Sequence, residues 1–280
     1  MTILAPVSVN LLGVVEHPAF GDTPYRISAN GAPYVPAGDG GLVLGVSLGD
    51  PVFGLAGDHV APGACLMHPD QAARHALVLY GCIGNRAEIR TGAAAGSQGA
   101  VIGKRGESGR LIVGFGQDDL ARTRPGDQVS VRSRGQGARH PLLPDSVTGM
   151  NTDPSLLPQL PVSERDSVVE VGVRTVIPSK RAGNGLGRPA AAWDLDLQLP
   201  ASETPLLLGD LVAISDIDAR YNLGYRRGWL TIGVIVHGAS PLPGHGPGMT
   251  VILTGQATAL RAREEGAGHT GLTASMLGLG

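Results

Sequence analysis

Glycine and proline interrupt this chain so often that long regular elements have little room to form. The 43 Gly and 21 Pro are spread through 280 residues and separated by short runs of Val, Ile and Leu. Glycine opens the positive-φ conformations of tight turns, and proline fixes φ while removing a hydrogen-bond donor. The pattern therefore specifies short strands joined by tight turns. Hydrophobic residues make up 42% of the chain, enough for a real core, so global disorder is not expected. The fold class this predicts is mostly β, with two β-rich barrel-like subdomains and few short helices.

The punctuation also divides the chain. Residues 1–137 read as an N-terminal β-rich unit. VSVNLLGVVEH and GLVLGVSLGDP are predicted strands, and AVIGK and LIVGF are predicted arms of a hairpin turning through RGESG. After a short helical turn in DDLARTR, Val129 and Val131 alternate with polar residues in another strand. Residues 70–80 fit a short helix capped by Asp70 and stopped by Gly81, although ALVLYGCIG also fits a buried strand. Residues 138–166 hold five prolines and read as a crossover containing one helical turn at DPSLLPQL. Residues 167–280 form the second β-rich unit, with strands in SVVEVGVRTVIPSK, WDLDLQLP and LLLGDLVAIS. The Gly-Asp turn of LLLGDLVAIS repeats that of PGDQVSV, which suggests two related small-barrel units. The tail after Gly255 is polar and glycine-rich, and its end is expected to be loosely held.

Charge and cysteine content narrow the partners. A formal charge of -2 with only 22 Lys and Arg offers no overall attraction to nucleic acid or to an anionic membrane, so neither partner is expected. The N-terminus lacks a basic leader and an uninterrupted apolar span, which points to a cytoplasmic protein. Cys65 and Cys82 do not make a disulfide framework and are expected to be reduced and buried; the apolar setting of Cys82 argues against a nucleophile. GAVIGKRG and GNGLG lack both the P-loop and the dinucleotide pattern, so no nucleotide cofactor is expected, and Lys104 reads as a hairpin decoration.

Residues 209–254 carry the densest set of chemistry-bearing side chains between strand-like runs. Asp216 and Asp218, two apart, share a face if their strand continues, and could bind a divalent metal or raise one another's pKa. Arg220 and Arg226 could neutralise them, or join Tyr221 and Tyr225 in gripping an anionic ligand. Asn85, in CIGN, is added to this substrate-binding set. His237 ends the strand TIGVIVH, and His245 lies within Gly-His-Gly-Pro-Gly, where glycines leave its ring accessible and expose backbone N–H groups. Upstream, Asp58 and His59 occupy the turn GDHVAPG, where adjacent side chains can reach one cavity for acid–base work. The bland reading of each is a turn cap or a packed structural histidine. No H-E-x-x-H, CxxC pair or EF-hand loop is present, so a metal is left open by residue type alone.

GDHVAPG, CIGN, GAVIGKRG, GQG, MNTDP and the segment from DIDARYNLGYRRG to HGPG together resemble an uncharacterised bacterial and archaeal family known only as a domain of unknown function. The resemblance spans about residues 40 to 255. It implies a mostly β protein with barrel-like subdomains, similar in part to cyclophilin-like folds, and no settled reaction. One departure is the short passage from GNGLG through Arg188 and Pro189 into AAAWD.

The leading functional expectation is a small-molecule enzyme with its site in a cleft between the β units. His59, Asp58, His245 and His237 are the acid–base candidates. Hydrolysis of a compact amide or cyclic amide fits them, as do isomerisation and cyclisation. The alternatives are a non-catalytic binding protein for an anionic metabolite and a structural component of a homo-oligomer. The reading that 209–254 is functional requires His59 to face it.

Overall fold

The computed structural model describes residues 7–18, 20, 23–106, 109–201, 205–266 and 268–279. The first unit runs through β1 (Ser8–Val15), a small hairpin of β2 (Arg26–Ile27) and β3 (Pro33–Tyr34), β4 (Leu42–Val43), β5 (Gly63–Met67), α1 (Gln71–Tyr80), β6 (Arg86–Ile89), β7 (Gln98–Arg105), β8 (Arg110–Phe115), α2 (Gln117–Arg122) and β9 (Gln128–Arg134). Strands pair in the order β1-β9-β6-β7-β8-β5, and β5 returns to β1, closing a six-stranded barrel with β4 appended to β5. Val129 and Val131 of β9 point inward with Val15, Leu66, Ile89, Val101, Leu111 and Val113, while Ser130 and Arg132 do not. α1 begins where the Asp70 carboxylate accepts from Ala73 N at 2.8 Å and stops at Gly81, so the helical reading of 70–80 holds. GLVLGVSLGDP, by contrast, contributes only the two residues of β4; its glycines 41, 45 and 49 have positive φ and turn the chain away from a ladder.

The second unit comprises β10 (Val147–Gly149), β11 (Val162–Arg165), β12 (Val168–Val173), β13 (Val176–Ile177), β14 (Leu195–Asp196), β15 (Leu211–Asp218), β16 (Gly224–His237), β17 (Gly248–Gln256) and β18 (Leu260–Glu264). Its main sheet has the order β10-β17-β16-β15-β13, with β14 pairing on β17; β11, β12 and β18 form a second, three-stranded sheet. DPSLLPQL contains a single 3-10 turn at Leu157–Gln159. After Gly255, β18 pairs in parallel with β12, and Leu260 and Leu272 are fully buried.

The two units share one core. Cys65, Ile83, Ile102 and Ile112 of the first pack in the same apolar cluster as Val171, Leu211, Ile232, Val236 and Ile252 of the second. β7 and β8 are buried on both faces because the barrel fills one side and the second sheet covers the other. Gly103 makes the approach possible, since a Cβ there would overlap Val236. Lys104 is therefore not a surface decoration. It is fully buried, and its Nζ donates to Asn151 Oδ1 at 2.8 Å and Ala191 O at 2.6 Å. Cys65 and Cys82 are free and buried, and burial pushes the Cys65 thiol up to about 11. Among the described residues no helix is long and apolar enough to cross a membrane.

Candidate functional site

The seam between the units collects a buried group of imidazoles and carboxylates. His59 comes from the 57–61 turn that precedes β5. Its φ is +51°, a left-handed conformation uncommon for a side chain with a Cβ, and the turn it makes lets Asp58 and His59 both face the seam. Backbone bonds stitch this turn to the second unit: Gly238 N donates to Val60 O at 2.8 Å and His59 N to Ala239 O at 3.4 Å. His237 stands at the end of β16, and His245 lies in the loop before β17. β14 supplies Asp196, preceded by Asp194.

The distances define one site. His59 Nε2 lies 2.8 Å from His245 Nδ1, although the residues are 186 apart in sequence. Asp196 Oδ2 lies 3.0 Å from His245 Nδ1 and 3.9 Å from His59 Nε2. His237 Nε2 lies 2.9 Å from Asp194 Oδ2 and 3.4 Å from Asp196 Oδ1. The rings of His59 and His237 meet edge to face with centroids 5.1 Å apart. All of these side chains are almost fully buried except that of His245, which is 19% exposed.

A layer of charge holds the cluster from behind. Asp58 Oδ1 sits 2.9 Å from His59 Nδ1, in a contact too bent for a good hydrogen bond. Its other oxygen accepts from Tyr34 Oη at 2.8 Å and Arg26 Nη1 at 2.5 Å. Arg26 also reaches Asp39 at 2.6 Å, and Arg105, at the end of β7, lies 3.0 Å from the other Asp39 oxygen. Burial opposes ionisation of Asp58, but the contacts with His59, Ser240 and Tyr34 hold its carboxyl well below the usual range. Asp194 shows the same balance: burial raises it, and His237 together with Gly106 N, which donates at 2.8 Å, brings it below the ordinary value. Burial works against a charged His237, and the facing Asp194 and Asp196 outweigh it and raise its pKa. The Tyr34 hydroxyl, partly buried and beside the Asp58 carboxylate, is pushed up to about 12.

Of the residues singled out from sequence, Asp58, His59, His237 and His245 meet here. The others do not. Asp216 sits at a bulge between Ser215 and Ile217, with φ +57°, so Asp216 and Asp218 do not continue one strand face. Asp216 accepts from Gly228 N at 2.7 Å, and Asp218 pairs with Arg220 at 2.8 Å and Arg226 at 3.0 Å. Both guanidiniums stack over Trp229, and Tyr221 and Tyr225 stand exposed beside them. Asn85 is fully buried: its Oδ1 accepts from Cys82 N and Arg134 N, and its Nδ2 donates to Arg134 O and Asp153. These bonds tie the 82–85 turn to Arg134 and Asp153. Among the described residues the side chains able to group around a cation are His59, Asp196 and His245, and Asp194, Asp196 and His237.

Asp194, Asp196, Arg26, Tyr34, Asp39 and Arg105 escape the sequence reading. One signal was present: WDLD carries the same Asp-x-Asp spacing as DID at 216–218, but it lies apart from the other ionisable residues.

Comparison with known proteins adds the lineage. The N-terminal DUF4438 domain of unknown function matches residues 25–158 and the C-terminal DUF4438 domain matches 159–269, a wider span than the 40–255 carrying the quoted motifs. A solved structure, the crystal structure of TM1086, is similar with a TM-score of 0.90 and 34% identity, over 94% of this chain and 95% of that one. No curated protein matches the chain. With both domains in order and a relative alike over nearly its whole length, the chain belongs to the DUF4438 family, whose function is unknown.

Proposed function

We propose that this protein is a small-molecule hydrolase that opens a compact amide or cyclic amide at the seam between its two β units. The observation that carries the reading is the 2.8 Å approach of His59 Nε2 to His245 Nδ1, which joins two distant turns in one buried, carboxylate-lined group. Asp58 beside Nδ1 orients the His59 ring and leaves Nε2 to take a proton from water. The water oxygen adds to the substrate carbonyl carbon, the C–N bond breaks, and the leaving nitrogen takes a proton from His245, the one ring of the cluster open to solvent. Cyclisation is the same step reversed. A cavity of about 550 Å³ lies between α1 and residues 189–193; none of the cluster's side chains lines it, and Gly106, whose N donates to Asp194, is its nearest link to them. Cytoplasmic residence is part of the proposal and suits two free, buried cysteines.

The test is turnover of a panel of amides and cyclic amides by the wild type and by His59→Ala and His245→Ala. Hydrolysis by the wild type, lost in both variants while circular dichroism stays unchanged, is expected. Unchanged turnover in both would overturn the assignment.

A further inference from the structure

The cluster leaves a buried carboxylate oxygen without a donor. His237 Nδ1 lies 2.9 Å from Gly238 O, and a carbonyl only accepts, so Nδ1 carries a proton and Nε2 is the ring atom that faces Asp194 and Asp196. His59 has the same polarity, with Nδ1 at the Asp58 carboxylate and Nε2 toward His245 and Asp196. Whatever the state of His237, Asp196 Oδ1 makes no hydrogen bond, on a residue only 2% exposed. A buried carboxylate oxygen without a donor is costly unless a cation meets it.

We infer that the cluster holds two divalent transition-metal ions, one on His59, His245 and Asp196 and the other on His237, Asp194 and Asp196, with Asp196 bridging them. The inference rests on the hydrolytic reading of the same site and changes only what activates the water: with His59 Nε2 committed to an ion, the ion would take that part in place of the ring. Within each trio the ligand atoms lie within 4.8 Å of one another. Ligands about 2.0–2.2 Å from a zinc-class ion sit roughly 3 to 4.4 Å apart, so each trio closes on an ion with small side-chain shifts. The five side chains fall into two trios rather than one, and Asp196 belongs to both. Its Oδ2 faces His59 and His245 while its Oδ1 faces His237, as a carboxylate spanning paired ions about 3.5–4 Å apart would be placed. Three protein ligands at each position leave room for water. Mixed imidazole and carboxylate donors suit zinc, manganese or iron better than calcium. Asp58 beside His59 Nδ1 and Gly238 O on His237 Nδ1 are the outer partners that orient metal-bound histidines.

The full chain is stripped with a chelator and dialysed against Zn²⁺; bound zinc is counted by plasma mass spectrometry and its affinity measured by calorimetry. Two zinc ions per chain are expected. Asp194→Asn and His245→Ala should each lower the count to one. Asp196→Asn should weaken both positions by more than the roughly 10–100-fold that loss of an outer partner costs. Should Asp196→Asn fail to fold by circular dichroism, His245→Ala, at the partly exposed ring, still decides. A wild-type count of one or none overturns the inference, as does a count of two retained in both single-site variants. Because the count is independent of turnover, two bound ions without hydrolysis of the amide panel overturn the proposed reaction and leave the centre standing. Hydrolysis of the panel together with a count below two does the reverse.

Discussion

Lys104 shows how far a residue's meaning depends on its surroundings. Sequence places it beside a glycine-rich turn, where lysines are normally solvated. In the structure it lies beneath the seam with neutral oxygen partners, and burial lowers its pKa from 10.5 to about 8. Below pH 8 the folded and unfolded chains both hold the proton, so folding carries the full cost of burying the ammonium. Between 8 and 10.5 the folded chain has released it while the unfolded chain has not, and stability rises with pH across that window. The total gain is on the order of 3 kcal/mol, at about 1.4 kcal/mol per pKa unit. Urea unfolding of the wild type should therefore show stability climbing from pH 8 to 10 relative to Lys104→Met; parallel profiles would refute it. His59 carries a related lesson. That Asp58 and His59 could face one cavity followed from their lying in a turn, but the positive φ that accomplishes it is a property of the folded loop.

At the scale of elements, β16 and β17 place His237 by leaving it no alternative. The two strands pair across His237 and Gly248, and a Cβ at Gly248 would overlap His237 Nε2. Gly248→Ala must push the ring out of line with Asp194 and Asp196. Overpacking of this kind costs about 1–3 kcal/mol. We expect zinc affinity to fall more than about tenfold, as for loss of a ligand's support, while the chain remains folded; unchanged affinity would show that the ring tolerates the shift. The elements themselves were largely legible. β7, β8, β9 and α1 appear where alternation, the RGESG turn and the Asp70 cap put them. β4 was read as too long a strand and β18 was not picked out, for opposite reasons. Apolar residues did not outweigh three positive-φ glycines in one case, and in the other a polar strand is held by a partner 91 residues upstream, Val169 for Leu260.

For the whole molecule, the shared core and the seam cluster tie the two units together. Ile102 and Ile112 of the barrel pack with Ile232 and Val236 of the second sheet. Unfolding should then be one transition, with tryptophan fluorescence, which reports Trp193 and Trp229 in the second unit, coinciding with far-ultraviolet circular dichroism. The proposed ion on His59, Asp196 and His245, with ligands from both units, would add to this. Zinc at 100 times its Kd should stabilise the chain by about 2.7 kcal/mol for each ion bound, and a chelator should remove that gain. Separate transitions, or a zinc shift seen in only one probe, would contradict the coupling.

Turn chemistry is local: a glycine's freedom or an aspartate's cap acts within a few residues. The sequence by itself therefore determined the β class, the short elements and the buried thiols, and it singled out four residues that meet in the buried cluster. Convergence is not local. Two Asp-x-Asp pairs look alike along the chain, and only strand pairing decides that the bulge at Asp216 turns one outward to arginines while β14 carries the other to three histidines. Contacts made across 186 residues of chain are set by how the barrel and sheet pack, and the tertiary structure alone decided them.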